Sequence, residues 1–201
     1  MGCLDAAEMP PTYGVPPELV QGIIAGGPAA LLASIEGAED DGAAGVRDLA
    51  ARGVGPRDAV VGLSASGRAR YVREALREAG RRGAFTAALT CNRNSPLAAC
   101  AQVALVAETG PEPVAGSTRM KAGTAQKLIL NMLSTSVMVK LGKVRGNAML
   151  DLQLKCEKLR ERARNLVMDA AGCGADEAEE ALRVASGSVR EAIQNVKRQM
   201  R

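Results

Sequence analysis

The chain has 201 residues and a formal net charge of +4, with no His, no Trp, one Phe (Phe85) and two Tyr (Tyr13, Tyr71). Without His there is no Ser-His-Asp triad, no Cys-His pair and no histidine-bearing metal site, and so few aromatics cannot build a base-stacking surface. Acid and base chemistry near neutral pH therefore falls to carboxylates, Lys, Cys or Tyr.

The cysteines, Cys3, Cys91, Cys100, Cys156 and Cys173, are odd in number and lack C-x-x-C spacing, which predicts free thiols in a reducing compartment. No signal peptide and no apolar run of membrane-spanning length is visible, so a cytoplasmic protein with no membrane partner is expected. Glu157 and Glu161 break up the densest basic stretch, Lys155 to Arg164, so no nucleic-acid partner is expected either.

Pro10, Pro11, Pro16 and Pro17 punctuate the start, and the residues before the first pair are expected to be extended. Glu18 to Ala25 reads as a short helix led by Pro17. Pro28 opens another, with Leu31, Leu32 and Ile35 on one face, and Val46 to Arg52 follows after a loosened stretch. Asp58 to Leu63 is short, apolar and β-branched, as in a buried parallel strand. A small-residue loop, Ser64 to Arg68, leads to a helix over Tyr71 to Ala79. Phe85 to Leu89 and Val103 to Val106 are two more strands, separated by a turn and a short helix. This order predicts an α/β fold with a doubly wound parallel sheet.

The remainder reads as helix. Ser117 to Leu141 is a long, largely apolar helix expected to be buried on most sides. Met149, Leu152, Cys156, Leu159, Ala163 and Leu166 form a core-facing stripe. Asp176 to Ala185 and Val189 to Met200 complete a small helical bundle. The division expected is an α/β domain over 1–146 and a three-helix bundle over 147–201.

Two loops offer chemistry. Ser64, Ser66 and Gly67 follow the carboxyl end of a strand, where helix N-termini, backbone N–H groups and hydroxyls suit a phosphomonoester. A tight turn that merely needs small residues accounts for the same loop. Residues Gly116 to Thr124 place Ser117, Arg119 and Lys121 at a helix start. Cations there oppose the helix dipole, which predicts something negative nearby and favours an anion-binding role over a plain cap by Ser117 or Thr118 with merely exposed cations. Glu39, Asp40 and Asp41 form an acidic run, and spacing alone makes neither Glu8 nor Glu39 catalytic.

Four segments change that weighting: Asp5 to Gly14, Val20 to Gly27, Glu36 to Asp41, and Gly116 to Lys127. In this order they closely resemble the N-acetylmuramic acid 6-phosphate etherase family, which shares the sugar isomerase (SIS) fold with the glucokinase regulatory protein. The resemblance covers nearly the whole chain. It implies cleavage of the lactyl ether of N-acetylmuramic acid 6-phosphate by elimination and water addition, giving N-acetylglucosamine 6-phosphate and D-lactate. It implies Glu8 as proton donor to the departing lactate and Glu39 in a second acid/base role. Ser64, Ser66, Gly67, Ser117, Arg119 and Lys121 would bind the sugar phosphate. No metal or organic cofactor is expected, and a homodimer is. Ala69 and Arg70 depart from the family, whose members often carry Thr-Pro there.

The family also has a first strand and a G-x-G-T-S-G-R loop before the segment that Met1 to Asp5 resembles. A sheet lacking them, an exposed sheet edge and incomplete activity of the isolated chain are therefore expected. The alternative function is a non-catalytic phosphosugar-binding regulator, or an inactive fragment of the etherase. An isomerase of the same fold is disfavoured by the Pro-Pro-Thr and Arg-Met-Lys motifs.

Overall fold

The computed structural model describes residues 1–151, 154 and 157–199. In chain order these form α1 (Gly2–Tyr13), α2 (Gly42–Ala50), β1 (Ala59–Leu63), α3 (Arg70–Arg81), β2 (Phe85–Thr90), β3 (Val103–Val106), α4 (Lys121–Lys140), β4 (Val144–Arg145), β5 (Ala148–Met149), α5 (Glu157–Ala171), α6 (Ala175–Val184) and α7 (Val189–Gln199). They divide into two compact units that interleave along the chain. One comprises Met1–Cys3 and Gly22–Met132, the other Leu4–Gln21 and Leu133–Arg201.

The first unit is the α/β part. Its sheet has the order β1-β2-β3 and both pairings are parallel, with Val61 opposite Ala87 and Leu89 opposite Leu105. β2 is central and buried along most of its length, as a strand covered on both faces must be. β1 has a described neighbour on one side only and is half-exposed. Leu76 of α3, Ala88 of β2 and Leu97 pack into one core cluster, while Leu49, Ala75, Ala79 and Ala84 form another. Each fully enclosed leucine contributes about 2–3 kcal/mol of apolar burial. Thr86, a polar side chain buried on β2, is paired. Thr86 and Gln102 exchange hydrogen bonds, Thr86 N–H giving to Gln102 Oε1 at 3.0 Å and Gln102 N–H to Thr86 Oγ1 at 3.2 Å.

In the second unit α5, α6 and α7 close on Ala163, Val167, Ala178, Val189, Ala192, Ile193 and Val196. Alanine at so many contacts lets the helices approach closely. Separately, Met9, Tyr13 and Val15 pack with Met138.

Several expectations need correction. The chain is helical through Pro10 and Pro11 rather than extended, although neither ring can donate to the carbonyls of Ala6 and Ala7. Burial of Met9 and Tyr13 outweighs that loss. Glu18 to Ala25 is turn and irregular chain rather than helix, and within it Gly22 lies against the backbone of Cys3, too close for any side chain. The helix after Pro28 is a single 3-10 turn, Pro28–Leu31, and Leu31, Leu32 and Ile35 are exposed. α4 is not buried on most sides: Leu128, Met132, Val137 and Val139 are exposed. In the expected stripe Met149 lies in β5, Leu159, Ala163 and Leu166 pack in the bundle, and Leu152 and Cys156 fall outside the described residues. Lys155 of the basic stretch and Met200 fall outside them too. The four described cysteines are free thiols.

Candidate active site

A cavity of about 990 Å³ opens in the α/β unit. Its wall includes β1, the loop after it, the start of α3, Glu39, residues Gly116 to Arg119, and Gly123, Thr124, Gln126 and Lys127 of α4.

The Ser loop is held by its own hydrogen bonds. Ser64 N–H continues the strand ladder to the Leu89 carbonyl at 3.1 Å, and Thr90 Oγ1 donates to the Ala65 carbonyl at 3.1 Å. Ser64 Oγ accepts from Gly67 N–H at 3.1 Å, and Ser66 Oγ accepts from Arg68 N–H at 3.2 Å. A hydroxyl used as an acceptor still has its proton to give. Both serines can therefore donate into the cavity that they line. The N–H groups of Ala65 and Ser66 find no acceptor among the described residues. α3 begins just beyond, with Ala69 at its cap position and no side chain capping it. Hydroxyls, free N–H groups and an uncapped helix start converge as a phosphate cradle requires.

Gly67 does not line the cavity. It turns the loop with φ +69°, and its carbonyl accepts from Leu97 N–H at 3.1 Å. Its role is to shape the cradle from behind.

The acidic run divides its work. Asp41 caps α2, its carboxylate accepting from Ala44 N–H at 2.9 Å. Glu39, in a 3-10 turn over Ala38–Asp40, is the acidic side chain among the cavity's described lining residues. Glu8 is exposed on α1, within the second unit, and is not part of this cavity wall.

At the start of α4 Ser117 and Arg119 line the cavity but Lys121 does not. Lys121 Nζ donates instead to the carbonyls of Pro111 at 2.9 Å and Thr109 at 3.4 Å. Neither Ser117 nor Thr118 caps the helix. Glu112 does, accepting from Lys121 N–H at 3.0 Å and Ala122 N–H at 2.9 Å. Glu112 supplies the negative charge that cations at a helix start call for. It lies across a loop with two prolines, where no local spacing rule reaches.

Tyr71 also lines the cavity. Burial, and then its hydrogen bond to Asp48 at 2.6 Å, push its phenol far above the usual range. It stays protonated near neutral pH and is no base there. Among the described residues no cluster of three or more His, Cys, Asp or Glu side chains could hold a metal ion, and no helix is long and apolar enough to cross a membrane.

The parallel sheet and the Ser-loop cavity at its carboxyl ends place this chain among SIS-domain proteins, and the SIS domain family model matches residues 40–136. The chain is 56% identical over 193 residues to the N-acetylmuramic acid 6-phosphate etherase of Symbiobacterium thermophilum, covering 96% of this chain and 64% of that protein. It is 52% identical to the protein of the same name from Jannaschia sp. (96% and 61% covered) and 50% identical over 199 residues to that from Geobacillus thermodenitrificans (99% and 68%). The chain thus spans between 61% and 68% of the length of these relatives. It belongs to the N-acetylmuramic acid 6-phosphate etherase family.

Proposed function

We propose that this chain carries the cleavage of the D-lactyl ether of N-acetylmuramic acid 6-phosphate, yielding N-acetylglucosamine 6-phosphate and D-lactate in cell-wall amino-sugar recycling. The observation that carries the reading is the cavity that opens both the Ser64–Ser66 cradle and Glu39 to one space. Ser64, Ser66 and the free N–H groups of the loop take the 6-phosphate, Gly67 shapes that loop, and Ser117 and Arg119 complete the wall. Lys121 supports the turn rather than touching substrate.

In the reaction a carboxylate base removes the proton at C2 and its electron pair expels lactate from C3. Glu8 gives the proton to the departing lactate oxygen, and Glu39 takes the second acid/base role. Water then adds to the unsaturated sugar. One carboxyl must be protonated while the other is ionised, so their surroundings must differ. No metal or organic cofactor takes part.

Phosphosugar binding belongs to residues 1–146, with 147–201 outside the chemistry. The protein works in the cytoplasm as a homodimer. Leu128, Met132 and Val139 are exposed on one face of α4, which supports a covering partner.

The test is Glu8→Gln in the intact protein. Lactate release is expected to fall by about 10²–10⁴-fold, the range for losing a general acid, while N-acetylglucosamine 6-phosphate still binds. Unchanged lactate release would sink the assignment.

A further inference from the structure

Arg119 and Lys127 line the same cavity as the Ser loop. No ion pair or hydrogen bond engages either side chain among the described residues, whereas Lys121 is spent on loop carbonyls. Lys127 sits on α4 at helical spacing from Gly123 and Thr124, which puts all three on the cavity face. The cavity therefore holds two different anion-binding sets. One is neutral, built from Ser hydroxyls and N–H groups after β1. The other is cationic and comes from the turn before α4 and from α4 itself.

Two sets suit a ligand with two anionic groups. On the function proposed above, the substrate carries a 6-phosphate and, through its ether, a lactyl carboxylate. A lysine head group is a compact charge on a flexible stem, suited to a small carboxylate. We propose that Lys127, which lines the same cavity as Arg119, is a specificity-determining residue that binds the carboxylate of the ether substituent. Its charge selects acid-bearing sugar ethers over plain amino-sugar phosphates. The inference rests on the proposed function but makes a separate demand, on the carboxylate rather than the phosphate.

The experiment measures affinity by calorimetry in the full chain carrying Glu8→Gln, so that substrate is not consumed. The ligands are N-acetylmuramic acid 6-phosphate and N-acetylglucosamine 6-phosphate, which lacks the carboxylate. Lys127→Met is expected to weaken the first by about 10- to 100-fold, the cost of one charge-assisted contact, and to leave the second nearly unchanged. Lys127→Arg, which keeps the charge, should retain most of the preference. Equal loss for both ligands would place Lys127 on the phosphate and overturn the inference, as would no loss for either. If the chain with Lys127 intact binds neither sugar phosphate, the proposed function itself has failed.

Discussion

Gly67 occupies the left-handed region, and a methyl on its Cα would run into the side chain of Ser95. Its N–H also holds the Ser64 hydroxyl. Gly67→Ala should cost roughly 2–4 kcal/mol, combining backbone strain with overpacking, read as a lower urea midpoint at unchanged slope. Sugar-phosphate affinity should fall with it. Ser64, Ser66, Ser117 and Arg119 were legible in the sequence as cavity-lining residues, since loops after a strand or at a helix start can turn polar groups to a cleft, though a tight turn or a plain cap fits the same residues. Lys121 was not. Its motif looks as cationic as that of Arg119, and only the folded loop brings the carbonyls of Thr109 and Pro111 to it. Lys127 was hidden for the opposite reason, since one lysine on a long helix normally faces water.

At the scale of elements, α3 starts without a side-chain cap, and Ala69 stands at the cap position with non-helical φ −53° and ψ 115°. Ala69→Ser would give the first turn an acceptor for an orphan N–H. The expected gain is about 1 kcal/mol, visible as a higher thermal or urea midpoint. Strands β1 to β3 were readable to within a residue at either end, because buried parallel strands are short apolar runs with few alternatives. Helices were less so. α1 crosses two prolines because its buried face offsets their lost hydrogen bonds, and no local rule contains that term. The apolar run of α4 pointed to enclosure, but hydrophobic content cannot say which neighbours a helix has.

At the scale of the molecule, the helical unit is tied by Asp151, which takes Lys143 Nζ at 2.9 Å and Arg190 Nε at 3.3 Å. Burial pushes the Asp151 carboxyl up, but the hydrogen bonds from Arg190 and Lys143 outweigh it and hold it below its ordinary value. A carboxyl lowered in the folded state adds stability above its unfolded pKa of about 3.9, and that stability fades as pH falls through the folded value. Asp151→Asn should therefore destabilise at neutral pH, with the difference from the parent shrinking as pH drops below about 4 in urea titrations. A gap that widened with acid would contradict the assignment. The interleaving of the units has a consequence for synthesis on the ribosome. The sheet of unit one can close on contiguous chain, since its strands pair with near neighbours in sequence. The helix that bears Glu8 is made before β1 to β3, yet Met9 and Tyr13 find their partner, Met138, only after those three strands have been made. Translation proceeds at about 5–20 residues per second, so this greasy segment waits for several seconds in the open. It is the stretch of the nascent chain that a chaperone has most reason to hold.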